Sequence, residues 1–301
     1  MRYKCGDVSL QELVTLKMSA LENPAILCGT KIVSVALNAP GPAAAARLTQ
    51  LGAEVTKIEP PEGDATSNFA PEWYAELCAG QHVLKLDLKD AAGKEQLDAL
   101  LADANLLLAS FRPTALQRLG LDWETLHERF PRLCFVGIIG HPAPDEERSG
   151  HDLTYQADCG LLRPPQMPAT LFIDMAGAER AVSMALALLY RLARTGEPGC
   201  AWVSLYECAR ALAAPLRAGL TTNGGLLGGG YPLYGFYRTN DGWIVTAALE
   251  PRFAQRLLAE LRLEKPDRAE LERIFVTRTA MEWERWAAER DLPLVAVRQT
   301  G

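Results

Sequence analysis

The sequence has few of the residues that build metal centres and disulfide frameworks. It contains four histidines in 301 residues, and its seven cysteines are scattered without a C-x-x-C pair. An odd number of scattered cysteines is typical of reduced thiols and argues against a disulfide scaffold or a zinc site. We therefore expect a cytoplasmic protein without a bound metal.

An excess of positive charge and a long apolar run are also missing. The formal net charge is -6 at pH 7, which disfavours broad binding to nucleic acid or to a membrane surface. No apolar run is long enough to span a bilayer. What remains is a mixture of 49% hydrophobic and 23% charged residues, which is typical of a globular protein with a sizeable core.

From Lys31 onward, strand-like and helical segments alternate. Residues Lys31–Glu59 form a strand–turn–helix–strand unit, and the same alternation continues for most of the chain. This order predicts an α/β fold with a large Rossmann-like domain, a mostly parallel sheet and helices on both faces. Ligands of such sheets bind at the carboxyl ends of the strands. The loops after Leu37, Glu59, Phe111 and Ile139 are therefore expected to border a pocket.

A glycine-rich stretch, T-N-G-G-L-L-G-G-G-Y-P, interrupts this pattern. After it come a hairpin, with an expected type I′-like turn at N-D-G, and further helical segments, which predict a smaller α+β domain. We place an N-terminal extension at 1–28, with a helix over 9–22, the large ligand-binding domain at 29–222 and the small domain at 223–301.

Several polar residues lie where chemistry could occur, but each also has an ordinary structural explanation. Asp174 precedes a long Ala/Leu-rich helix, so it could cap that helix or act as a base or nucleophile. His151 lies at a loop-to-helix junction, and Asp152 could cap the helix that follows. Glu250 ends a strand, and Arg118 could be a solvated helix residue or a phosphate contact. Taken singly, these residues leave both interpretations open.

Taken together, the motifs from about Lys31 to Arg298 resemble the family III CoA-transferase superfamily. The matching segments are P-G-P-A-A-A-A-R-L-T-Q-L-G-A-E-V-T-K-I-E-P-P, L-K-L-D-L-K, F-R-P-T-A-L-Q-R-L-G-L, G-H-D, D-M-A-G and Y-P-L-Y-G-F-Y-R-T-N-D-G. Within it, G-H-D-x-x-Y at His151–Tyr155 and A-L-E-P-R-F around Glu250 resemble the α-methylacyl-CoA racemase branch. Asp174 matches the aspartate that both branches share.

The resemblance implies a racemase or epimerase of α-branched (2-methyl) acyl-CoA thioesters that works by two-base proton transfer through an enolate. His151, oriented by Glu250, would serve one face of the α-carbon and Asp174 the other. Backbone N–H groups near Asp174 would stabilise the enolate oxygen. No cofactor beyond the CoA of the substrate is implied, and a homodimer is expected.

By the same resemblance, three residues would lie against the CoA: Arg118, Asp152 and Tyr155. The chain departs from the family pattern at Gln81 and His82, which replace basic residues, and it is expected to be short at its C-terminus.

Two other functions stay open. One is a CoA-transferase that moves CoA between carboxylic acids through an acyl anhydride on Asp174. The other is a non-catalytic acyl-CoA-binding relative, which the departures at Gln81 and His82 motivate.

Overall fold

The computed structural model describes residues 25–298, and a six-stranded sheet organises the first part of them. The sheet order is β3-β2-β1-β4-β5-β6, and every neighbouring pair is parallel. This arrangement confirms the predicted α/β fold. The strands are β1 (Lys31–Ser34), β2 (Glu54–Glu59), β3 (His82–Lys85), β4 (Leu106–Ala109), β5 (Cys134–Ile139) and β6 (Cys200–Ser204).

Helices connect these strands and cover both faces of the sheet. Two of them, α2 and α3, were not expected from the sequence. The helices are α1 (Pro40–Gln50), α2 (Thr66–Phe69), α3 (Pro71–Cys78), α4 (Ala91–Ala102), α5 (Pro113–Leu119), α6 (Trp123–Arg129), α7 (Asp152–Asp158), α8 (Phe172–Thr195) and α9 (Leu205–Leu212). Among residues 25–298, none of the helices has the length and apolar character needed to cross a membrane.

The apolar core lies on both faces of the sheet. Strands β4 and β5 are buried along their whole length, as expected for strands covered by helices on each side. On one face, α1 and α8 pack closely through small residues such as Ala44 and Ala181. Gly177 of α8 is required by this packing, because a Cβ there would lie 2.3 Å from Cδ2 of Leu205. The close packing fixes the start of α8 relative to the sheet.

The chain divides into two compact units, one ending at Ala211 and the other beginning at Leu212. The domain boundary expected at residues 222–223 lies within the second of them. The predicted helix over 9–22, and most of the expected N-terminal extension, lie outside the described residues.

The second unit contains an antiparallel sheet of order β7-β8-β9. Between β7 and β8, the backbone N–H of Thr239 donates to the carbonyl oxygen of Gly242 at 3.0 Å. None of Asn240, Asp241 and Gly242 has a positive φ, so the expected type I′-like turn is wrong. Instead the Thr239 hydroxyl donates to Asp241 at 2.9 Å and stabilises a longer loop. The elements are α10 (Ala214–Arg217), a π-helical turn (Leu226–Gly230), β7 (Tyr234–Arg238), β8 (Trp243–Ala247), α11 (Pro251–Leu261), α12 (Arg268–Phe275), α13 (Ala280–Ala288) and β9 (Leu294–Ala296).

Candidate active site

The carboxyl ends of β1, β4 and β5 open into a cavity of about 290 Å³, which we call the main cavity. Its walls are the segments that follow these strands and the start of α8. The loops after β1 and β4 are tied together by Ser110, whose hydroxyl accepts from the Leu37 N–H at 2.9 Å and donates to the Leu37 carbonyl at 3.1 Å. Three of the four loops expected to border a pocket therefore do so here.

The structure brings His151 and Asp174 together in the wall of the main cavity. His151 precedes α7 and is exposed. Three hydrogen bonds join His151 and Thr154 at this junction, one of them from the Thr154 hydroxyl to the His151 carbonyl at 2.8 Å. The Thr154 backbone N–H donates to the His151 carbonyl at 2.9 Å, and the His151 N–H donates to the Thr154 hydroxyl at 3.0 Å. Two of the three predicted catalytic residues thus face one space.

Asp174 occupies the first turn of α8, but it does not cap the helix, because the N-cap position is Leu171. Asp174 therefore belongs both to the first turn of α8 and to the wall of the main cavity. Burial, followed by the charge of Asp152, raises the pKa of Asp174 from 3.8 to about 7. A carboxylate with this pKa can both accept and donate a proton near neutral pH.

Asp152 is the residue that caps α8, and it does so from the neighbouring helix α7. The side chain is buried, and its Oδ2 accepts from the backbone N–H groups of Ile173 at 2.7 Å and Asp174 at 3.1 Å. Gln156 donates to the other oxygen. Leu171 offers no side-chain acceptor to the first turn of α8, so Asp152 satisfies these donors.

This capping corrects one expectation from the sequence. Backbone N–H groups near Asp174 were expected to be available for an enolate oxygen, and those of Ile173 and Asp174 lie at that position. Both are already engaged by Asp152. These two N–H groups are therefore not free to donate to that oxygen.

Two arginines of the main cavity were not singled out from the sequence. Arg112 follows β4 and donates to the Ser149 hydroxyl at 2.9 Å, and Arg148 pairs with Asp158 at 3.0 Å. Arg118 instead lies exposed on α5 and is not part of the cavity wall, so its contact with CoA stays a prediction. The position of Arg112 directly after a strand was the signal that could have identified it.

A second space, the adjoining cavity, has a volume of about 320 Å³ and shares Leu37 and Phe111 with the main cavity. Its charged wall residues are Glu59, Glu62, Asp87 and Lys89, so carboxylates outnumber cations. The loop after Glu59 thus borders this cavity. Gln81 and His82 lie at the opposite end of β3 from the wall residues Leu86–Lys89.

Glu59 belongs to a buried ion cluster behind the adjoining cavity. Lys57 Nζ lies 2.7 Å from the Glu59 carboxylate and 2.9 Å from Asp64, and all three side chains are almost completely buried. The Tyr74 hydroxyl also donates to Glu59, at 2.8 Å. The carboxylate of Glu59 is therefore fixed by its neighbours in the fold.

A third space, the apolar cavity, has a volume of about 330 Å³ and lies along the segments that carry the two candidate catalytic residues. Asp152 and Leu153 directly follow His151, and Met175 directly follows Asp174. The remaining wall residues are mostly apolar: Trp73, Met167, Pro168, Thr170 and Leu171. Its composition suits a hydrocarbon group.

Glu250 lies in the second unit, where it is the N-cap residue of α11. Its side chain is exposed, and it makes no capping hydrogen bond to the helix. Pro251 occupies the first helical turn, where a missing N–H has little cost. The orienting contact of Glu250 with His151 stays a prediction.

Comparisons with known proteins agree with this fold and site. The sequence profile described as CoA-transferase family III matches residues 27–301. The chain is 30% identical to the cinnamoyl-CoA:phenyllactate CoA-transferase of Clostridium sporogenes, over 92% of this chain and 79% of that protein. It is also 30% identical to the α-methylacyl-CoA racemase of Mus musculus, over 80% of this chain and 66% of that protein.

The fold matches a solved structure of the hypothetical protein Rv3272 from Mycobacterium tuberculosis, with a TM-score of 0.79 and 25% identity. That match covers 90% of this chain and 85% of the solved one. Because the family profile spans nearly all the residues that form the sheet, the main cavity and the second unit, this chain belongs to CoA-transferase family III.

Proposed function

We propose that this protein is a racemase or epimerase of α-branched acyl-CoA thioesters. The observation that carries the proposal is the position of His151 and Asp174 in the wall of one cavity, with the pKa of Asp174 raised to about 7. Inversion of a carbon needs a base on one face and an acid on the other. A histidine and a near-neutral aspartate supply that pair at physiological pH.

In the proposed reaction, ionised Asp174 removes the α-proton and the electron pair moves into the thioester to form an enolate. Protonated His151 then returns a proton to the opposite face of the same carbon. In the reverse direction the two residues exchange roles. Each positioned acid or base is typically worth ~10²–10⁴-fold in rate. Glu250 is proposed to orient His151.

The apolar cavity supports a hydrocarbon as the acyl group, because its mostly apolar wall includes Asp152 and Met175, the sequence neighbours of His151 and Asp174. Arg112 and Arg148 offer positive charge at the main cavity for the anionic carrier. Asp152 and Tyr155 are proposed to line the path of the carrier, and Arg118 to contact it from α5. Homodimer formation and a cytoplasmic location are carried over from the sequence as proposals, and light scattering tests the first.

A CoA-transferase is the second candidate, and one observation favours it. The Asp174 carboxylate lines the cavity and receives no hydrogen bond from the rest of the described chain, so it is placed to attack a thioester carbonyl. The similarity to the Clostridium sporogenes transferase points the same way. In this reaction Asp174 would form an acyl anhydride while CoA leaves as the thiolate.

Proton exchange in D₂O separates the candidates. Purified enzyme is incubated with a 2-methylacyl-CoA, and deuterium at the α-carbon is measured for the wild type, Asp174→Asn, His151→Ala and the control His82→Ala, a histidine outside the cavity. Exchange in the wild type and the control, but in neither cavity variant, supports the racemase. CoA transfer to a free acid without exchange, with an Asp174 adduct trapped by hydroxylamine, supports the transferase. Thioester binding without either reaction supports a non-catalytic relative.

A further inference from the structure

Tyr155 is a buried residue whose hydroxyl oxygen is not enclosed by the protein. The residue is 2% exposed and belongs to the wall of the main cavity. It lies on α7, four residues after His151, and both residues belong to the wall of the main cavity. No residue of the described chain hydrogen-bonds to the Tyr155 hydroxyl. Because the oxygen is accessible and Tyr155 lines the main cavity, the hydroxyl can reach a ligand bound there.

Two glycines make room for this hydroxyl at the edge of the cavity. A Cβ at Gly140 would lie 2.5 Å from the Tyr155 oxygen, and a Cβ at Gly150 would lie 2.6 Å from it. Both glycines are themselves cavity wall residues. The space around the oxygen would therefore close if either position carried a side chain.

The Tyr155 ring is held in place by aromatic packing. His141 is buried and contacts Tyr155 edge-on, with 5.3 Å between ring centroids, and it packs against Tyr206 at 5.1 Å. Burial lowers the pKa of His141, which favours a neutral ring in this stack. Removal of the Tyr155 oxygen alone would leave these ring contacts intact.

The hydroxyl is suited to donate rather than to ionise. Burial, followed by the negative charge of Asp174, raises the pKa of Tyr155 to about 12. The phenol therefore keeps its proton across the physiological range. Its proton is available to an oxygen that gains negative charge inside the cavity.

We propose that the Tyr155 hydroxyl donates a hydrogen bond to the carbonyl oxygen of the bound thioester and to the enolate oxygen that develops from it. The proposal rests on the proposed function, because it needs a thioester in the main cavity. Tyr155 keeps its proton throughout. The bond strengthens as electrons move from the α-carbon to the oxygen. The backbone N–H groups of Ile173 and Asp174 cannot take this role while Asp152 holds them.

The first test compares Tyr155→Phe with the control Tyr206→Phe, which removes a hydroxyl from the other side of the same aromatic stack. Loss of one oxyanion donor typically costs about 10²–10³ in kcat. We expect a kcat for α-proton exchange lowered by about 100-fold in Tyr155→Phe, with KM changed far less, and little change in Tyr206→Phe. An unchanged kcat in Tyr155→Phe, or an equal loss in both variants, overturns the proposal.

The second test does not depend on turnover. A 2-methylbutanoyl-CoA labelled with ¹³C at the carbonyl is bound to each enzyme, and the C=O stretch is measured by infrared difference spectroscopy. We expect the stretch to fall on binding to the wild type and to Tyr206→Phe, and to return towards its solution value in Tyr155→Phe. A stretch that is the same in all three enzymes overturns the proposal.

The two tests also keep this proposal apart from the proposed function. If the wild type exchanges no α-proton but its C=O stretch still depends on Tyr155, the racemase assignment fails and the hydrogen bond stands. If the wild type exchanges protons and the stretch is independent of Tyr155, the hydrogen bond fails and the racemase assignment stands.

Discussion

The carboxylate of Asp152 accepts the backbone N–H of Asp174 across 3.1 Å, so two acidic residues from different helices are held side by side. Asp152 stabilises the start of α8 by this bond. The pKa of Asp174 is raised mainly by burial of its side chain. The negative charge of Asp152 raises it further. One residue, Asp152, therefore both caps α8 and raises the pKa of the candidate base Asp174.

Asp152→Asn tests this link. The asparagine oxygen can still accept from the helix, but the negative charge is gone, so we expect the pKa of Asp174 to fall below 7. Burial remains, so the pKa should stay above its ordinary value of 3.8. The measurement is the pH dependence of exchange, whose acid limb should move to lower pH. An acid limb that stays in place or moves to higher pH contradicts the prediction, provided that the melting temperature shows an intact fold.

The raised pKa of Asp174 should make the folded protein less stable at neutral than at acidic pH, as far as this residue is concerned. Below about pH 4 the group is protonated in both states and costs nothing. Between pH 4 and 7 it ionises only in the unfolded chain, so the cost grows. Above pH 7 it is constant, at most on the order of 4 kcal/mol and less where solvent screens the charge.

Asp174→Asn should remove this cost. We expect the variant to be more stable than the wild type at pH 8 and equal to it near pH 4, while it loses exchange activity. Urea unfolding at several pH values measures the difference. A stability gain that does not change with pH would show that another contact of Asp174, and not its ionisation, is responsible.

Arg112 should contribute to the affinity for an anionic thioester. A hydrogen bond to a charged group is worth about 1.5–3 kcal/mol, so we expect Arg112→Gln to raise the Kd of acyl-CoA by about 10–100-fold. Arg132→Gln, at an exposed position outside the cavity, is the matched control. Calorimetry measures both, and Arg118→Gln tests the contact implied by the resemblance. Equal affinity of wild type and Arg112→Gln would show that this cation does not contact the ligand.

The carboxylates of the adjoining cavity should disfavour the phosphates of CoA. Glu62 is exposed there, so its replacement by lysine should improve acyl-CoA binding a few-fold, and less at high salt. Binding of an acyl-pantetheine, which lacks the nucleotide, should not change. Glu264→Lys makes the same charge change in the second unit. If Glu62→Lys raises the affinity for acyl-CoA and for acyl-pantetheine equally, the effect does not come from the phosphates of CoA.

The fold was largely predictable because its strands are short apolar runs separated by helical segments. The position of the main cavity was also predictable, because ligands of parallel sheets bind where the strands end, and Phe111 and Ile139 lie at such ends. Helices α2 and α3 were missed because residues 66–78 have only a weak apolar pattern, and only Thr66 and Leu77 are buried within them.

The hydrogen bonds of the site were less predictable, because they join residues that are distant in sequence. Asp152 and Ile173 are 21 residues apart, and no local pattern indicates that one caps the helix of the other. The space around the Tyr155 hydroxyl likewise depends on Gly140 and Gly150, which approach it only in the folded protein. The sequence identified His151 and Asp174 as candidate catalytic residues. Only the three-dimensional structure shows that they line the same cavity.

The buried cluster of Lys57, Glu59 and Asp64 limits how this chain can change its ligand. Replacement of Glu59 by a cation would place two positive charges in contact inside the protein, and breaking a buried ion pair typically costs about 3–5 kcal/mol. A basic residue at this wall position therefore requires a simultaneous change at Lys57. The charge at position 59 is thus tied to the folding stability of β2, whereas the exposed Glu62 of the same cavity can change alone.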